Sequence, residues 1–254
     1  MAVNTDNITE ELKVFQPVHW EFWGTLLWGV LIAFIFVVLQ AITMIIILMT
    51  QNKYSSPSGF EQAFISAATD GFILSVATIA TTIVCTGLVI GIIKLKKNTV
   101  LKEYLCIRPV PFNTMLQWIG ILAVFIALAN MIGLALGRPI VTEFVSAIYA
   151  SAQPLWILWI ALIIAAPLFE EIFFRGFLFQ GFASSFMGPA GAVFVTSGLW
   201  ASIHTQYDTH DKVVIFCLGL LLGAARVRTG SLLAPLGLHA ASNLESTIEA
   251  ALLG

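Results

Sequence analysis

The chain has 254 residues, 59% of them hydrophobic and 10% charged, with a formal net charge of −2. An ordinary soluble domain carries about 25% charged residues, so the composition excludes that class and describes a polytopic membrane protein. The slightly acidic balance offers nothing to a nucleic-acid partner. Cys85, Cys106 and Cys217 lie far apart in sequence and form neither a disulfide framework nor a metal-binding pattern.

A membrane-spanning helix needs about 20 mostly apolar residues. Residues 1–19 form a polar, mildly acidic arm without the basic start of a signal peptide. The first predicted span is Trp23 to Met49, anchored at the interface by Trp20, Trp23 and Trp28. Gln51 to Gly59 reads as a loop, and the second span runs from about Ala63 to Ile93. Lys94, Lys96, Lys97, Lys102 and Arg108 then make the most basic loop, closed by Pro109 and Pro111. The positive-inside rule places this loop, and with it the N-terminus, in the cytoplasm.

The third span is about Thr114 to Leu136, ended by Gly137-Arg138-Pro139. Ile140 to Ala152 is too short to cross and reads as an interfacial or re-entrant piece. The fourth span runs from Gln153-Pro154 to about Phe186, with a kink expected at Pro167. Ala190 to His204 forms the fifth, Val213 to Ala225 the sixth and Leu232 to Leu253 the seventh. The expected fold is therefore an all-α polytopic transmembrane helix bundle of about seven spans, or eight if residues 140–152 insert. Residues 1–152 supply three spans and the interfacial piece, and residues 153–254 the remaining four, as one integrated domain.

The fourth span contains Glu170, Glu171 and Arg175 inside a strongly apolar run. An ionisable group at bilayer depth costs at least about 2.5–3.5 kcal/mol on insertion scales, so three in six residues need an explanation. Side chains four apart share a helix face, which pairs Glu171 with Arg175 as a structural brace and leaves Glu170 as the free carboxylate. Later spans add Trp200 and His204, one turn apart, and His239 and Asn243, also four apart. At about 1.5 Å per residue, Glu170, His204 and His239 all fall in one broad band around the midplane. His19 and His210 read as satisfied core or interface histidines, and Asp70, Arg138 and Glu143 as solvated residues near span ends.

A carboxylate, two imidazoles and an amide around a wet intramembrane cavity suit acyl hydrolysis. Glu170 would take a proton from water, and His204 would orient that water and pass a proton to the leaving amine. His239 and Asn243 would stabilise the oxyanion. No His-Glu-x-x-His string is present, Ser197 sits in a poor match to a Gly-x-Ser-x-Gly turn, and Asp70 is the one aspartate near a span. No cofactor is called for, although Glu170, His204 and His239 could together hold a catalytic zinc. A proton-coupled transporter using Glu170 would carry an internal repeat, and none is visible.

Glu-Glu-x-x-x-Arg at Glu170, Glu171 and Arg175, aromatic-x-x-x-His at Trp200 and His204, and His-x-x-x-Asn at His239 and Asn243 occur in that order. Together they resemble the CPBP family, the CAAX prenyl endopeptidases and bacteriocin-processing or immunity proteins also called the Abi family. The resemblance covers about Gln153 to the C-terminus, and Trp200 stands where the family often has Phe. It implies an intramembrane endopeptidase with its cavity open to the cytoplasm, acting on a peptide or lipidated peptide: a prenylated C-terminus, a pheromone, a leader or a signal-peptide remnant. It also implies an alternative, a non-catalytic immunity or regulatory protein that keeps the Glu-Glu-Arg motif as a brace. Membrane lipid is the other expected partner.

Overall fold

The computed structural model describes residues 19–51 and 57–253. The N-terminal arm, apart from His19, and the Lys53 segment of the first loop lie outside the described residues. Among the described residues every regular element is helical: α1 (Phe22–Gln51), α2 (Pro57–Ala67), α3 (Gly71–Leu95), α4 (Leu101–Tyr104), α5 (Phe112–Ala135), α6 (Glu143–Ser151), α7 (Leu155–Ala183), α8 (Gly188–Ile203), α9 (Thr209–Thr229) and α10 (Leu233–Leu253). Helices α1, α3, α5 and α7 are each long and apolar enough to cross a membrane.

The expected second span, Ala63 to Ile93, is not one helix. It breaks at Asp70, whose carboxylate accepts hydrogen bonds from the Phe72 and Ile73 amides, both at 3.0 Å, and so caps α3. Gly71 follows because a Cβ there would lie 1.9 Å from the Ile148 carbonyl oxygen of α6. The loop expected over Gln51–Gly59 is likewise shorter, since α2 begins at Pro57. Thr142 caps α6, which packs beside α3 as a nine-residue helix too short to span.

Burial separates the helices into a rim and a centre. Only 11% of the apolar stretch is buried in α1 and in α5, against 39% in α3 and 44% in α7. Outward residues such as Phe34, Val37, Leu116 and Val124 remain exposed, as a lipid-facing surface requires. α7 is the axis of the bundle. All eight residues from Glu171 to Leu178 are buried, and Phe169 stacks on Phe36 of α1 and on Phe173, with ring centroids 5.0 and 5.6 Å apart. α8 and α9 approach closely because Gly219 and Gly223 face Ser197 and Val193, where a Cβ would come within 2.9 and 2.6 Å of side-chain atoms.

α7 is not a plain α-helix. Ile160–Ala165 and Glu171–Leu178 are π-helical, with Pro167 in the α-helical turn between them. In the first π segment the Ala166 amide bonds back five residues to the Ala161 carbonyl. Leu162 would next accept from residue 167 in that register, but Pro167 has no N–H. The wider π turns were not expected from the sequence, which suggested a simple kink at Pro167.

The helices alternate in direction, so the bundle has two distinct ends. At one end Trp20 Nε1 donates to the Ile92 carbonyl at 3.1 Å, the Leu232 amide to Cys106 at 3.0 Å, and Ser231 Oγ to the Arg108 carbonyl at 2.5 Å. This is the basic end, with Lys94, Lys96, Lys97, Lys102, Arg108 and Arg228. At the other end the Gly71 amide bonds Ser151 at 2.9 Å, Tyr149 donates to the Thr247 carbonyl at 2.9 Å, and Arg138 pairs with Asp208.

Candidate active site

Three helices place the motif residues around one hub, the Trp200 indole of α8, which is only 2% exposed. Its Nε1 donates a short hydrogen bond to Glu170 Oε2 on α7. The Arg175 guanidinium lies over the ring at 4.5 Å, a cation–π contact. The rings of His204 and His239 both meet it in T-shaped contacts, at 5.2 and 5.1 Å. The sequence placed Trp200 beside His204 but gave no sign that it would hold Glu170.

Behind the hub is a fully desolvated charge relay. Glu171 and Arg175, 0% and 1% exposed, pair at 2.8 Å, and the same Glu171 oxygen accepts from His239 Nδ1 of α10 at 2.9 Å. A carboxylate can only accept, so Nδ1 carries the proton of this bond. His239 Nε2 lies 4.0 Å from Glu170 Oε2, too far for a direct hydrogen bond and within reach of one bridging water. His239 therefore joins the two glutamates.

Glu170 is the one carboxylate of the motif that reaches open space, with a side chain 18% exposed and its Oε1 without a protein partner among the described residues. His204 donates Nδ1–H to the Trp200 carbonyl at 2.7 Å, which leaves Nε2 as an acceptor toward the cavity. Asn243 is partly spent. Its Nδ2 donates to the Leu162 carbonyl at 2.7 Å, the acceptor that Pro167 leaves without a helical donor. One amide proton remains for a ligand.

These side chains line a cavity of about 630 Å³ that also touches Tyr207, Arg138 and Asp211. A volume of this order suits a peptide segment of a few residues. Tyr207, in the α8–α9 loop, stacks on His204 at 6.2 Å and meets Phe144 edge-on at 5.5 Å. Burial pushes its phenol up to about 12, and the Asp211 and Glu170 charges push the same way, so it stays a hydroxyl donor at any working pH. Reading this loop as a polar connector overlooked Tyr207. At the rim the Asp211 amide and then Arg138 hold the Asp208 carboxyl below its ordinary value. Arg138, expected to be solvated alone, thus ties the α5–α6 loop to α9.

The zinc set left open by the sequence is not gathered here. Among the described residues, the ligand atoms that come within 4.8 Å of one another are those of Asp208, His210 and Asp211 at the rim, where Arg138 already engages both carboxylates. Glu170, His204 and His239 are set around the Trp200 ring rather than aimed at one point.

The cavity runs from the middle of the bundle, at Glu170, to the end away from the basic loop, and His239, six residues into α10, is its deepest residue. His19 and Lys94, Lys96, Lys97 and Lys102 mark the opposite end. The two orientations expected from the sequence, a cytoplasmic basic loop and a cytoplasmic cavity, therefore cannot both hold.

Residues 152–244 match the family described as Rce1-like type II CAAX prenyl endopeptidases. The chain is also 32% identical over 161 residues to an Escherichia coli protein described as an uncharacterized 24.3 kDa protein, covering 56% of this chain and 73% of that one. No solved structure matches. With four membrane-length helices, the motif order and this match, the chain is an integral membrane protein that belongs to the CPBP family of CAAX-type intramembrane proteases.

Proposed function

We propose that the protein is an intramembrane endopeptidase in which Glu170 activates water without a covalent intermediate. The observation that carries this reading is the asymmetry of the two glutamates. Glu171 is fully buried and its Oε1 is shared by Arg175 and His239, while Glu170 is held by one indole N–H and opens on the cavity.

In the proposed reaction a water between Glu170 and His204 Nε2 gives its proton to Glu170 and its oxygen attacks the peptide carbonyl. The remaining Asn243 N–H stabilises the oxyanion, and His239 contributes from Nε2 when its ring is protonated. Tyr207 adds a hydroxyl donor on the His204 side. Collapse of the intermediate breaks the C–N bond, with the proton passing from Glu170 through His204 to the leaving amine. The products are a carboxylate and an amine, and no Ser or Cys takes part. The reading takes α8, α9 and α10 as further crossings beside the four membrane-length helices.

The test is cleavage of a quenched fluorescent peptide by the full-length protein in detergent or vesicles. Glu170→Gln is expected to lower the rate by about 10²–10⁴-fold with thermal unfolding unchanged. Full activity in that variant would leave the brace reading, a non-catalytic membrane partner, in its place.

A further inference from the structure

We infer that the active-site cavity opens on the extracytoplasmic side of the membrane, so that its substrate is a peptide presented from outside the cytoplasm and not a prenylated cytosolic tail. The identity of the occupant rests on the peptidase reading above; the side does not.

Apart from His239, near the start of α10, the cavity is built from the middle of the helices and the end away from the basic loops. Gln40 of α1 and Asn130 of α5 precede the ends of their helices, and Thr78 of α3 follows the start of its own. Leu162 belongs to the first part of α7 and Glu170 to its middle, His204 follows α8, and Asn243 lies at the middle and Thr247 in the second part of α10. The helices alternate in direction, so these positions share one end. Its surface is formed by Arg138 to Val145 and Thr205 to Asp211, which line the cavity mouth.

Lysine and arginine collect at the other end. Lys94, Lys96, Lys97, Lys102, Arg108 and Arg228 lie in or beside the two loops that Ser231 and Leu232 bind together. Among the described residues the cavity end has Arg138 and Lys212, and Arg138 is neutralised by Asp208 and Asp211. Orientation follows the Lys/Arg bias of short loops next to spans, and acidic residues count little. Both basic loops are short and adjoin helix ends, so the bias acts at full strength and holds the basic end in the cytoplasm.

The experiment uses the full chain in a bacterial host with Cys85, Cys106 and Cys217 replaced by serine. Gln206→Cys at the cavity mouth and Glu103→Cys at the basic end are exposed positions. A membrane-impermeant maleimide should label Gln206→Cys in intact cells and Glu103→Cys only after permeabilisation. Alkaline phosphatase fused after residue 254 needs no internal substitution and should be active, because α10 runs from the basic end to the cavity end. A soluble quenched peptide that the solubilised protein cleaves should be cut by right-side-out vesicles and spared by everted ones. Labelling of Glu103→Cys in intact cells, labelling of both positions, an inactive phosphatase or cleavage only by everted vesicles overturns the inference. Failure of the peptidase reading would instead show as undiminished cleavage by Glu170→Gln with the labelling pattern intact.

Discussion

Arg175 shows how the site keeps charge in an apolar core. Its guanidinium has Glu171 on one side, the Trp200 ring below and the Gly219 carbonyl within 3.4 Å. Removing one member of a buried ion pair strands the other, at a cost of about 3–5 kcal/mol. Arg175→Met should therefore lower the unfolding midpoint in detergent sharply, whereas Glu171→Gln with Arg175→Met together should lower it less. An equal or larger loss in the double variant would argue against the pairing as the source. This brace was legible in the sequence because i,i+4 spacing survives even where the helix widens. The contacts of Glu170 were not: the indole that holds it comes from α8, thirty residues on, and only packing decides which face of Trp200 meets which acid.

The elements were legible where hydrophobic length dominates and obscure where backbone chemistry intervenes. α1, α5 and α10 start within two residues of their expected positions. The break before α3 was written in Thr69-Asp70-Gly71, a capping residue beside a glycine, but the apolar run around it masked the signal. Pro167 flagged a perturbed fourth span without showing that two π segments would flank it or that Asn243 would cap the carbonyl it frees. That link can be measured. Asn243→Leu should cost about 0.6–2 kcal/mol, and less in a Pro167→Ala background, where residue 167 regains an N–H for Leu162. An equal cost in both backgrounds would show that Asn243 serves another group.

At the scale of the whole molecule, titration of one end should be felt throughout. His19 bonds Gln180 of α7 at 2.8 Å and meets the Tyr104 ring at 4.9 Å, tying the start of α1 to the basic end. Burial pushes its imidazole below the ordinary 6.5, and the Arg226 charge does so further. The folded state thus binds the proton less readily than the unfolded chain. The stabilising contribution is complete above pH 6.5 and is lost as pH falls through the lower folded value. Unfolding midpoints should drop below pH 6.5 in the parent chain, and this step should be absent in His19→Gln; a step that survives the substitution assigns it to another group. The bundle as a class was readable from composition and run length alone. Which end carries the cavity was not, because that depends on how separate helices meet in space.

The indole bonded to Glu170 is also a built-in optical reporter. Tryptophan emission responds to a charge placed against the ring, so any event that moves or neutralises the Glu170 carboxylate should change the fluorescence of Trp200. Subtracting the spectrum of Trp200→Phe isolates that signal from the other six tryptophans. A bound peptide that engages Glu170 should shift the difference spectrum, and the shift should vanish in Glu170→Gln. Occupancy of the cavity could then be followed in real time, before any bond is cut and with no label attached to the substrate.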